Sequence, residues 1–114
     1  MDESAAGAAG QDRRSRLLGV KLRALVGDHL ALAGDDDAAA ALAEAVPATF
    51  PSGAALLVGD AAWVLVEGRA DRSLGAALAW SLRNGATSLD LIAEEDTGLL
   101  ARRAAAFSLP VRVW

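Results

Sequence analysis

The chain has 114 residues, 54% hydrophobic and 23% charged, which is enough apolar material for one domain core and too little length for two. Its formal net charge of −4 argues against holding nucleic acid by charge alone, and 4% aromatic content with no tyrosine supplies few platforms for stacking single strands. With no cysteine, disulfides, iron–sulfur clusters, thiolate zinc sites and cysteine nucleophiles are excluded, and the single histidine, His29, is the one residue through which a Ser-His-Asp triad could run.

No apolar run approaches the ~20 residues of a spanning helix, so no membrane partner is expected. Residues 1–10 lack the basic start and continuous apolar stretch of a signal peptide. They read as a mobile tail ahead of a single domain over 11–114. The lack of both a spanning run and a signal peptide points to a cytoplasmic protein, and richness in alanine, glycine, arginine and aspartate suggests a bacterial one.

Residues 11–26 are predicted as a helix, because Leu18, Leu22, Leu25 and Val26 recur at i, i+4, i+7 and i+8. Gly27-Asp28 would interrupt or end it, with residues 29–33 adding a further turn. The basic residues Arg13, Arg14, Arg16, Lys21 and Arg23 occupy its other side. Their bland reading is a solvated face; the functional one is a surface for phosphate or an acidic partner. His29 would complement the helix dipole as a surface or capping residue. Gly34-Asp35-Asp36-Asp37 looks like a helix start, an aspartate capping free N–H groups, and the second helix runs through 38–46 to Pro47. Residues 48–53 read as a loop.

After Gly53 the pattern becomes strand-like. Runs at 54–58 and 62–67 flank Gly59-Asp60, the signature of a hairpin. A helix over 73–83 carries Leu74, Leu78 and Leu82 on one face and stops at Asn84-Gly85. Trp80 lies off that stripe, either covering its flank or anchoring an interface. Residues 88–93 read as a strand, 98–107 as a fourth helix and 111–114 as a last strand. The order is ααββαβαβ. It implies an α/β domain with a mixed four-stranded sheet, a hairpin followed by parallel strands in right-handed connection. Trp63 and Trp114 should pack in the core or at a sheet edge. The chain stops inside its final strand, as the N-terminal fragment of a longer protein would.

No phosphate-loop or dinucleotide fingerprint is present. At the carboxyl ends of parallel strands, where ligands tend to bind, lie Glu67, Asp71, Glu94, Glu95 and Asp96. Such acids could hold Mg²⁺ or Mn²⁺ through oxygen. They equally suit helix caps and solvated loops.

The stretch Trp-Val-Leu-Val-Glu67-Gly68-Arg69, then a Leu/Ala-rich helix, then Leu-Asp-Leu-Ile-Ala-Glu-Glu, then a helix and Val-Arg-Val-Trp, resembles the later half of restriction-endonuclease-like domains, the PD-(D/E)xK nucleases. The resemblance covers residues 54–114. It implies that Glu67 is the metal-binding acid and that Arg69 stands where the family has its catalytic lysine. An arginine stays protonated and is a different tool. The family's first aspartate has one upstream candidate, Asp60. Seven strand residues at about 3.3 Å each put it roughly 23 Å from Glu67, too far to share an ion. The nuclease site is therefore incomplete as the family builds it.

The reading that follows is a non-catalytic interaction or accessory domain with a degenerate nuclease-like fold, no cofactor, and a protein partner or a second copy. Trp80 and the basic helix, in self-association with the acids at 35–37 or 94–96, are the candidate contacts. One alternative is a metal-dependent nuclease or phosphotransfer enzyme using Mg²⁺ or Mn²⁺ on Glu67 with Asp71 or residues 94–96. Another is a nucleic-acid-associated module using the basic helix.

Overall fold

Two consecutive apolar runs form the spine of the fold. They are the antiparallel strands β2 (Gly53–Val58) and β3 (Ala61–Val66), joined by a two-residue Gly59-Asp60 turn. The computed structural model describes residues 3–67, 71–93, 102 and 109–114, with backbone alone for 3–12, 15, 71–73 and 93. Around the hairpin stand α1 (Glu3–Ala33), α2 (Asp36–Glu44), β1 (Ala48–Phe50), α3 (Asp71–Arg83), β4 (Ser88–Ala93) and β5 (Val111–Val113). The sheet runs β1-β2-β3-β4-β5, antiparallel as far as β3 and parallel from β3 to β5.

The α/β class and the mixed sheet hold, but the described residues form five strands rather than four. The extra one is β1, read from sequence as part of a loop. It is three residues long between Pro47 and Pro51, and it sits at the sheet edge where flanking prolines are tolerated. The turn from β1 into β2 places Ser52 at φ 64°. The helix expected over 11–26 spans Glu3 to Ala33 and takes in residues 3–10, which composition placed in a tail. The helix expected over 98–107 lies outside the described residues apart from Arg102, whose backbone is helical.

Strand alternation divides the core in two. Ala54, Leu56, Val58, Trp63 and Leu65 face α1 and α2, meeting Leu18, Leu22, Val26, Leu30 and Leu42. Ala55, Ala62, Val64, Val66, Leu89 and Leu91 face α3, meeting Leu74, Ala77 and Leu78. Burial of Val26 and Leu30 carries α1 through Gly27-Asp28, which sequence marked as a break. On α3 the inward stripe is Leu74, Ala77, Leu78 and Ser81; Leu82, expected inward, is exposed. The Ser81 hydroxyl is satisfied by donating to the Ala77 carbonyl at 2.8 Å. Trp80 is half-buried against the same core, in the flanking position.

Helix ends follow their local chemistry. Asp35 caps α2, its Oδ1 accepting from the Ala38 N–H at 3.0 Å. α1 and α3 both close in Schellman geometry on left-handed glycines, Gly34 at φ 68° and Gly85 at φ 82°. In each, the residue after the glycine donates five residues back, Asp35 to Leu30 and Ala86 to Ser81.

Two substitutions test this packing by urea denaturation. Leu22→Ala, at a fully buried contact of α1 with the sheet, is expected to cost about 3 kcal/mol. Gly85→Ala is expected to cost about 1 kcal/mol from the left-handed backbone alone. A loss under about 1 kcal/mol for Leu22→Ala would mean that α1 does not cover the sheet.

Candidate functional site

One row of side chains crosses the sheet on the α1 face. The strand register sets Leu56 beside Trp63, Trp63 beside Asp90, and Asp90 beside Arg112. Asp90 is the anomaly: a fully buried carboxylate in the middle of an apolar strand. An uncompensated charge there would be costly. Arg112 supplies the cation, with Nε 2.9 Å from Oδ1 and Nη2 donating to Oδ2 at 3.4 Å. Trp114, two residues on and on the same face, donates its indole N–H to Oδ1 at 3.0 Å. The pair straddles the surface, since the Arg112 side chain is 68% exposed and that of Asp90 0%. Backbone bonds from Leu89 to Pro110 and from Trp114 to Leu91, both 2.9 Å, hold β5 in this register.

An aromatic group sits over the row. The rings of His29, Trp63 and Trp114 lie 4.4–5.9 Å apart, His29 being closest to Trp114. The Arg112 guanidinium lies 5.7 Å from the Trp114 ring centroid, within cation–π range. His29 therefore does not terminate α1 as a surface cap. The helix continues to Ala33, and the imidazole is half-buried against two tryptophans.

Hollows lie at both ends of the parallel strands. At the amino ends, a space of about 470 Å³ is bordered by Asp35, Asp37, Asp60, Trp63, Asp90 and Arg112. At the carboxyl end of β3, a space of about 460 Å³ is bordered by Glu67, Arg14, Leu17, Leu18 and Lys21. Glu67 is exposed, and its backbone N–H donates to the Ser52 carbonyl at 2.9 Å. Asp60, in the hairpin turn, sits at the other end of the strand that Glu67 follows. The two acids do not meet. Gly68, Arg69, Glu94, Glu95 and Asp96 lie outside the described residues, and of Asp71 only the backbone, at the start of α3, is described. Among the described residues, no group of three or more acidic or histidine side chains is placed to hold a metal ion.

The basic cluster splits. Arg13, Arg14, Arg16 and Lys21 are exposed. Arg23 is half-buried and donates through Nη2 to the Ala45 carbonyl just past α2, so it ties α2 to α1. Beside them, Leu17 is 62% and Val20 67% exposed. A groove of about 310 Å³ continues from Val20 past Gly19 to Pro47 and Thr49, flanked by the stems of Arg16 and Arg23.

Sequence reasoning missed the Asp90–Arg112–Trp114 group. Its signal was a single carboxylate inside Ser-Leu-Asp-Leu-Ile-Ala and an arginine alternating with valines in the last strand. Pairing the two required the β4–β5 register.

Fold and site together define an α/β domain with helices on both faces of a mixed sheet. Compared with known proteins, the chain matches no family model, no curated protein and no solved structure. No described helix is long and apolar enough to cross a membrane.

Arg112→Met is expected to cost about 2 kcal/mol, because Asp90 stays buried with one hydrogen bond and no cation. Removing both charges, in Asp90→Leu with Arg112→Met, is expected to cost less than Arg112→Met alone. Urea titration of the parent and the two variants checks this, and a double variant at least as unstable as Arg112→Met would refute it.

Proposed function

We propose that this chain is a non-catalytic interaction domain that docks a protein partner on the outer face of α1. One observation carries the reading: Leu17 and Val20 stand one turn apart, each about two-thirds exposed, amid the exposed Arg13, Arg14 and Arg16. Single exposed apolar residues are ordinary. Here they adjoin each other and an apolar groove, with a cationic rim. That combination suits a protein surface carrying acids around apolar side chains.

The fold on this reading is a degenerate restriction-endonuclease-like arrangement. The succession β3–α3–β4, with Glu67 just past β3, supports the likeness. The position of Asp60 at the far end of β3 supports the loss of the family's metal site.

A second reading is favoured by the hollow at Glu67. A carboxylate facing Arg14 and Lys21 at the carboxyl end of a parallel strand could work on a phosphodiester, if Mg²⁺ or Mn²⁺ bound there and Arg69, Asp71 or residues 94–96 converged on it.

Incubation with DNA and RNA in millimolar Mn²⁺ or Mg²⁺, with thermal melting in parallel, separates the two. The interaction reading expects no cleavage and no metal-dependent rise in Tm. Cleavage with a rise in Tm, both lost in Glu67→Ala, would overturn it in favour of the nuclease.

A further inference from the structure

Six exposed residues of α1, namely Arg13, Leu17, Val20, Ala24, Asp28 and Ala31, follow one another at spacings of 4, 3, 4, 4 and 3. At 100° per residue they fall within a stripe about 80° wide, on the side away from the sheet-facing Leu18, Leu22, Val26 and Leu30. The chain's own elements close a neighbouring flank. A Cβ at Gly19 would meet Pro47 at 3.2 Å, and one at Gly27 would meet Leu42 at 3.7 Å. Nothing among the described residues covers the stripe itself.

We infer that this stripe is the twofold contact of a homodimer in which two copies of α1 pack antiparallel. The inference rests on the reading above that the outer face of α1 is a docking surface, and it names the partner as a second copy.

Charge order selects the antiparallel arrangement. On the amino-terminal side of Val20 the stripe carries Arg13, with Arg14 and Arg16 at its edges; on the carboxyl side it carries Asp28. A parallel pair would set arginine against arginine and aspartate against aspartate. An antiparallel pair centred between Val20 and Lys21 sets Arg13 against Asp28 of the second copy and Leu17 against Ala24. Val20 then meets its own copy at the axis. The contact is isologous and closes on itself, as a twofold interface must. Large residues oppose small ones, which lets the helices approach to the usual 8–10 Å.

Because the chain has no cysteine, engineered thiols report the geometry cleanly. In the antiparallel pair Val20→Cys meets its own copy and is expected to form an intermolecular disulfide under mild oxidation. Arg13→Cys is expected not to, since its copy lies about 22 Å along the helix at 1.5 Å per residue, beyond the ~7 Å Cα limit. The mixture of Arg13→Cys with Asp28→Cys is expected to cross-link. Sedimentation equilibrium of the full chain, from micromolar to sub-millimolar, should show a mass rising towards twice that of one chain. Val20→Lys should weaken association at least tenfold, because it adds a cation to each copy beside Lys21 at the axis. Arg13→Asp and Asp28→Arg should each weaken it, and the two together restore it. As all three positions are exposed, the circular dichroism melt of each variant should change little, and the charge-swapped double variant guards against a folding defect.

A chain monomeric at every concentration overturns the inference and leaves the face to a different protein. Association untouched by Val20→Lys, or cross-linking of Arg13→Cys with itself, also overturns it. None of these outcomes bears on catalysis, whereas metal-dependent cleavage would end the non-catalytic reading whatever the oligomeric state.

Discussion

A sheet whose central strands carry no charged or hydroxyl side chain has no face to give to water. β2 and β3 read Gly-Ala-Ala-Leu-Leu-Val and Ala-Ala-Trp-Val-Leu-Val, and nearly every residue in them is buried. Each leucine, valine or tryptophan left in water would forfeit roughly 1.5–3 kcal/mol. The chain must therefore cover both sides of the hairpin, and it does so with what flanks it. α1 and α2 arrive before it and take the face of Leu56, Trp63 and Leu65; α3 follows it and takes the face of Val64 and Val66. The crossover through α3 then returns β4 parallel to β3. Element order, layer assignment and the change from antiparallel to parallel pairing all descend from two apolar faces that must be buried.

Asp90 is the exception that shows how the edge of such a sheet is managed. It occupies the α1 face of β4, one strand in from β5, where an apolar residue would satisfy the core. Its carboxylate instead collects Arg112 from the middle of β5 and Trp114 from just past its end. A three-residue strand has few backbone bonds with which to fix its own register. A slip by one residue would turn Arg112 and Trp114 to the α3 face and leave Asp90 buried without a cation. On this geometry the half-exposed pair penalises the wrong registers, since a buried acid without its cation is costly. His29 and Trp63 complete the cover, linking the last turns of α1 to the sheet edge.

Much of this was legible in the sequence because its causes are local. The hairpin shows in two apolar runs around Gly59-Asp60, the start of α2 in Asp35, and the end of α3 in Asn84-Gly85. What was not legible depends on partners distant in sequence. β1 exists because Ala48, Thr49 and Phe50 find β2 to pair with; alone between two prolines they carry no strand signal. α1 passes Gly27-Asp28 because Val26 and Leu30 are held by the sheet. Ser81 faces the core because it continues the helical stripe of Leu74, Ala77 and Leu78, its hydroxyl satisfied on the Ala77 carbonyl, while Leu82, about 100° further round the helix, faces water. Glu67 was placed at its strand end correctly. The pairing of Asp90 with Arg112 was not, since 22 residues separate them in sequence.

The two sides of α1 answer to different demands. Leu18, Leu22, Val26 and Leu30 suffice to hold it on the sheet, so the outer residues are free of any packing requirement from the fold. Polar residues at Leu17 and Val20 would leave the monomer as stable and make it more soluble. The order of charge along the helix does not serve the monomer either. A helix gains from acids in its first turn and bases in its last; α1 begins on Glu3 but has no base in its last turn, and Asp28 stands just before it. Both features become favourable beside an antiparallel helix. In the proposed dimer the second copy would bring Arg13 to Asp28, Ala24 to Leu17, and a dipole of opposite direction. A surface that costs the isolated domain solubility and gains it nothing in stability is explained by what it binds.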